Sequence, residues 1–117
     1  MKQLINDLLD FSEAIRYVAV YLDGKLVSAA KTETEGASSS ESDRYEELLV
    51  NPGILTLAWQ RGNIDCGGTE YVLIRYGNFF QFVLPLQNGH VSVCIEPDAD
   101  PISLGAQIRE VVARHLS

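Results

Sequence analysis

The stretch 69–95, TEYVLIRYGNFFQFVLPLQNGHVSVCI, decides the fold. It contains three strand-like runs, residues 71–76, 79–84 and 91–95, rich in β-branched and aromatic residues. The first link is Gly77-Asn78, where glycine at the first central position suits a II′ turn. The second contains Asn88-Gly89, the pair that favours the positive φ values of a I′ turn. Runs joined this tightly form a three-stranded antiparallel meander. A helix follows at once. Asp100 is placed to cap it, Pro101 takes its first position, and Leu104, Ile108, Val111, Val112 and Leu116 form its buried stripe.

Upstream, residues 2–14 place Leu4, Ile5, Leu8, Leu9 and, less regularly, Phe11 opposite Asn6, Asp7, Asp10 and Glu13, which predicts a helix. Residues 16–23 read as a strand, Asp23-Gly24 as a hairpin turn and 26–30 as the return strand. Both faces of the first strand are apolar, so both faces of the sheet need cover. Residues 31–43, acidic and serine-rich, offer little to bury and read as a flexible surface loop. Residues 45–50 suit a short helical turn. Asn51 then reads as an N-cap with Pro52 at the first position of a helix over 52–61, ended by Gly62-Asn63. Ile54, Leu57 and Ala58 share one side of that helix, with Arg61 at its margin, and Leu55 with Trp59 makes a second apolar stripe. A short helix apolar on two sides needs two surfaces to cover it. The expected class is α+β, in the order α-ββ-α-βββ-α.

At 117 residues the chain suits one domain, 1–117. Apolar residues make up 46% and charged residues 21%, ordinary for a globular fold. The formal charge of −7, with nine cationic residues scattered along the chain, argues against nucleic acid or anionic lipid as partner. No apolar run approaches the length of about 20 residues that spans a membrane. The first residues are interrupted by polar and acidic side chains, unlike a signal peptide, so a cytoplasmic location is expected. Two cysteines in such a compartment read as reduced thiols.

Several clusters invite a chemical reading. His90, Ser92 and Cys94 point the same way along one strand, but residues four apart on a strand are separated by roughly 13 Å. A Cys–His dyad is therefore excluded there. Acidic residues at 96–100 lack the ligand count and glycine of a calcium loop and suit a helix start instead. Cys66-Gly67-Gly68 has a helix before it and a strand after it, the reverse of a phosphate loop, and no lysine nearby. Tyr71, Tyr76, Phe79, Phe80 and Phe82 have only Arg75 as a close cation, which suits packing better than stacking on RNA bases. The expectation is no catalytic residue, no metal, no cofactor and no enzyme. Trp59 and Tyr71 are the candidate interface anchors.

The element order resembles the roadblock/LC7 family, small profilin-like sandwiches. The strand–Asp23-Gly24–strand unit over 17–30 is similar to the family's first hairpin, and residues 71–95 to its meander. Residues 97–116, with Pro97-Asp98-Ala99 and Leu104-Gly105, resemble its closing segment. The break at Asn51-Pro52-Gly53 and the long loop before it depart from the family's smoother second helix. The resemblance implies a five-stranded antiparallel sheet with the second helix on one face and the terminal helices on the other. It also implies a non-catalytic homodimer, or a pair with a paralogous subunit, joined through the third strand and second helix. Small Ras-like GTPases or other scaffold subunits dock on such dimers. By position the seam would lie along 69–76 and 54–61, with Ile54, Leu55, Ala58, Trp59, Tyr71, Leu73 and Arg75 as its residues. The residues agree: an apolar edge strand is an aggregation liability unless it is paired.

Two other readings compete with a scaffold. One is a ligand sensor with a pocket between the sheet and the terminal helices, to which Ser28, Ser92 and Cys94 would lend polarity. The other is a thiol enzyme built on Cys66, with no base placed near it.

Overall fold

A computed structural model describes residues 1–31 and 40–116. Helix α1 (Lys2–Phe11) leads into the hairpin β1 (Ile15–Leu22) and β2 (Lys25–Ala30). A long second helix begins as α2 (Ser40–Tyr45), widens into a π-helical turn (Glu46–Val50) and continues as α3 (Asn51–Asp65). Then come β3 (Val72–Arg75), β4 (Phe80–Leu86), β5 (Gly89–Ile95) and α4 (Pro101–Leu116). The strands form one five-stranded sheet in the order β2-β1-β5-β4-β3, every pair antiparallel. The meander is therefore present, with β3 at one rim and β2 at the other.

Alternation along the strands sorts the side chains onto two faces. Val18 and Val20 of β1, Phe82 of β4 and Val91, Val93 and Ile95 of β5 face α1 and α4. There they pack with Leu4, Ile5, Leu8, Ile108, Val111 and Val112 into the main core. Helix α4 lies so close to β4 that a Cβ on Gly105 would come within 2.6 Å of the Phe82 ring. The opposite face holds Tyr17, Ala19 and Cys94, with Leu26 and Phe79 packed beside them.

Asp23-Gly24 turns with φ values of 52° and 82°, the signature of a I′ turn. The other two hairpins differ from expectation. Neither Gly77 nor Asn88-Gly89 has positive φ, so the II′ and I′ assignments there are corrected. Gly89 pairs with Leu86 inside the ladder, where a Cβ would collide with the carbonyl of Tyr21.

The second helix departs most. Asn51 is not its N-cap but an interior residue at φ −62°, ψ −47°. Pro52 has no N–H to give the preceding turn, and its ring crowds the carbonyl four residues back. The chain responds by widening: the Asn51 N–H donates to the Glu46 carbonyl, five residues back, and the helix passes through the proline intact. It ends at Asp65 rather than at Gly62-Asn63. The surface loop expected over 31–43 lies mostly outside the described residues, and its last part, 40–43, is helical.

Candidate functional site

Two features on the second-helix side could carry function: a free rim of sheet flanked by exposed apolar side chains, and a polar layer buried beneath the helix.

The rim is β3. Its register with β4 places Leu73 opposite Phe82 and Ile74 opposite Gln81, so Leu73 faces the main core and Ile74 the second-helix side. Tyr71 also turns inward, stacking on Phe82 at 5.2 Å with the Arg109 guanidinium 5.7 Å above its own ring. Arg75 is exposed and lies 5.0 Å over Phe80. What β3 offers a partner is thus chiefly its outward row of backbone N–H and C=O groups. Ile54, Leu55 and Ala58 are half-buried on α3, whereas Trp59 is 59% exposed. Leu57 at 70% and Ile64 at 75%, seven residues apart and so on one side of α3, are more exposed still. A groove of about 560 Å³ between α3 and the β4–β5 hairpin is lined by Leu55, Trp59, Pro85 and Leu86. Sequence reasoning brought Trp59 forward as an anchor and passed over Leu57 and Ile64 as interface residues. Their period of seven was the available signal.

The polar layer lies one turn away. The π-helical turn carries Glu47 into the sheet, where its side chain is fully buried. One carboxylate oxygen, Oε1, accepts from His90 Nε2 at 2.7 Å and from Asn51 Nδ2 at 3.0 Å. Its other oxygen, Oε2, has no hydrogen-bond partner among the described residues. Alongside, Cys94 Sγ donates to Gln81 Oε1 at 3.1 Å, and Gln81 Nε2 donates to Ser92 Oγ. His90, Ser92 and Cys94 do share a face, and the partner of His90 is this glutamate, not the thiol. Nothing in the sequence marked Glu47, which sits in an acidic segment and reads as a solvated helix face.

Burial governs the ionisation here. It drives the thiol of Cys94 and the hydroxyl of Tyr17 far above their ordinary ranges, and the nearby Glu47 carboxylate pushes both further. Cys94 is a thiol packed and hydrogen-bonded within this layer. Glu46 is half-buried, and that burial raises its carboxyl. Tyr76 donates its hydroxyl to Glu46 at 2.8 Å and is itself pushed up to about 12, first by burial and then by that bond.

A cleft of about 400 Å³ opens between the N-terminal part of the second helix and the ends of β1, β4 and β5. The sensor reading placed its pocket on the other face, but there the main core fills the space between the sheet and the terminal helices. Ser92 is buried within the polar layer, and Ser28 lines a smaller hollow beside Tyr17. Cys66 is exposed at the end of α3, its thiol 3.3 Å from Asp65 Oδ1. Among the described residues no group of three or more His, Cys, Asp or Glu is placed to hold a metal ion. Among the same residues no helix is long and apolar enough to cross a membrane.

No protein-family model matches the chain, and no curated protein matches it in sequence. Solved structures do match in fold. The chain is similar to a Roadblock/LC7 domain from Streptomyces avermitilis, with a TM-score of 0.75 and 16% identity, covering 97% of this chain and 92% of that one. It is also similar to MglC from Myxococcus xanthus, with a TM-score of 0.60 and 14% identity over 97% of this chain and 93% of that one. The fold is that of a roadblock/LC7 domain.

Proposed function

We propose that this chain is a non-catalytic regulatory or scaffold subunit that works as a dimer, with a small Ras-like GTPase as the partner class its family resemblance suggests. The observation that carries the reading is the rim. Among the described residues strand β3 ends the sheet with an unpaired backbone edge, and α3 leaves Leu57, Trp59 and Ile64 in water. A second copy laid antiparallel along β3 satisfies that edge and buries the helix flank in one step, by a symmetric contact of the kind most homodimers use. The seam proposed is the backbone of 72–75 together with the flank of α3 that carries Ile54, Leu55, Ala58 and Trp59.

Light scattering on the purified chain across the micromolar range is expected to give twice the chain mass. Trp59→Lys is expected to halve that mass with the helical and strand signals unchanged, because the side chain is exposed in the monomer. Leu73→Lys is a poorer probe, since Leu73 packs against the main core. A wild-type monomer at all concentrations refutes the dimer. The GTPase part is tested separately, by pull-down with the dimer from its native cell.

A further inference from the structure

The free rim of β3 has a parity that limits how a twin can join it. At the hairpin, the Tyr76 N–H donates to the Phe79 carbonyl at 2.9 Å. In an antiparallel ladder, pairs that exchange both backbone bonds alternate with pairs that exchange none. The register of β3 with β4 therefore turns the backbone groups of Val72 and Ile74 inward, onto Val83 and Gln81. Leu73 and Arg75 turn theirs to the open rim, which no further strand covers among the described residues.

Resting on the dimer proposed above, the geometry points to a two-fold axis through Ile74, with Leu73 of each copy paired to the partner's Arg75. This register satisfies every free group within the strand. Each Leu73–Arg75 pair exchanges both N–H···O=C bonds, and both residues lie inside β3, Val72–Arg75. An axis through Leu73 would pair Leu73 with itself and send Arg75 to Tyr71, before the strand begins. An axis through Arg75 would send Leu73 to Gly77, beyond its end. The side chains agree with the first choice. Ile74 is half-buried on the second-helix side and would face its own copy across the axis, a β-branched pair at the close spacing of a non-hydrogen-bonded position. Arg75 would face a leucine, so like charges are not directly opposed. Such an axis stands normal to the sheet. Both second helices then lie on one face and run antiparallel.

Cysteine trapping reads the position of the axis. In a Cys66→Ser background, which removes the exposed thiol, Ile74→Cys sets a thiol against its own copy. Cα atoms at such a position lie about 4.5 Å apart, within the span of roughly 4.4–6.8 Å that a disulfide bridges. Mild oxidation with copper–phenanthroline is expected to convert most of the chain into a covalent dimer that a reductant releases. A covalent dimer formed through Leu73→Cys instead overturns the axis. If Ile74→Cys fails to fold, the wild-type chain is measured by NMR in dimers that mix isotope-labelled and unlabelled copies. An α-proton cross-peak between Ile74 and the partner's Ile74 is expected, and one between Val72 and the partner's Ile74 overturns the proposal. Light scattering on the same samples keeps the two readings apart. An intact dimer without the Ile74 crosslink refutes the axis alone, whereas a wild-type monomer refutes the dimer and the axis with it.

Discussion

Glu47 is a fully buried carboxylate with one oxygen unpartnered among the described residues. A carboxylate with no exposure costs several kcal/mol to desolvate, and only its bonds to His90 and Asn51 offset this. Removing one partner is therefore worse than removing both. His90→Ala is expected to lose about 3 kcal/mol in urea unfolding because it strands the charge. The pair Glu47→Met with His90→Leu is expected to recover most of that loss. A double variant as unstable as the sum of its singles would contradict this account.

The two cysteines give a simpler check at the same scale. Cys66 is exposed, whereas Cys94 is buried with its thiol driven up by burial. Ellman's reagent is expected to titrate one thiol in the native chain and two in denaturant. Asp100 offers a third. Its carboxylate accepts from the Ser103 hydroxyl and from the backbone of Ser103 and Ile102, and those bonds lower its carboxyl below the ordinary 3.8. A depressed folded value means the cap stabilises above the unfolded pKa and is lost as pH falls through the folded one. Asp100→Ala is thus expected to lower the thermal midpoint at neutral pH, with the gap to wild type closing on acidification below 3.8.

At the scale of elements, strands and terminal helices were legible because their periods are local facts of composition. Alternation in β4 and β5 and the stripe of α4 need no tertiary information. The turns were less legible, because a glycine can be selected by the backbone opposite it. Gly89 is such a case: the Tyr21 carbonyl excludes a side chain there, and the φ angle is ordinary. Asn51-Pro52 misled for a related reason. The pair signals a helix start only where the chain before it is not already helical, and here the π-helical turn absorbs the proline instead. The glutamate that this turn delivers to His90 lies 43 positions away in the chain, beyond the reach of any local pattern. Packing between elements supplies one more prediction. Gly105→Val places methyl groups where the Phe82 ring already lies within 2.6 Å of a bare Cβ, and overpacking of this kind costs about 1–3 kcal/mol. Urea denaturation measures it, and an unchanged midpoint would mean that α4 can shift away from β4 at little cost.

At the scale of the molecule, the two faces of the sheet are built differently. One is closed by an all-apolar core against α1 and α4, and the other mixes a thin apolar patch with hydrogen-bonded polar groups. The widened turn between α2 and α3 belongs to the second face. It has a wide rung at Asn51 and no donor at Pro52, so its ladder is weakened where the helix leaves the polar layer. Deuterium should enter the backbone there sooner than in the flanking turns. The long helix is thus two rods meeting at a soft joint, one lying over the polar layer and the other turning an apolar flank to water.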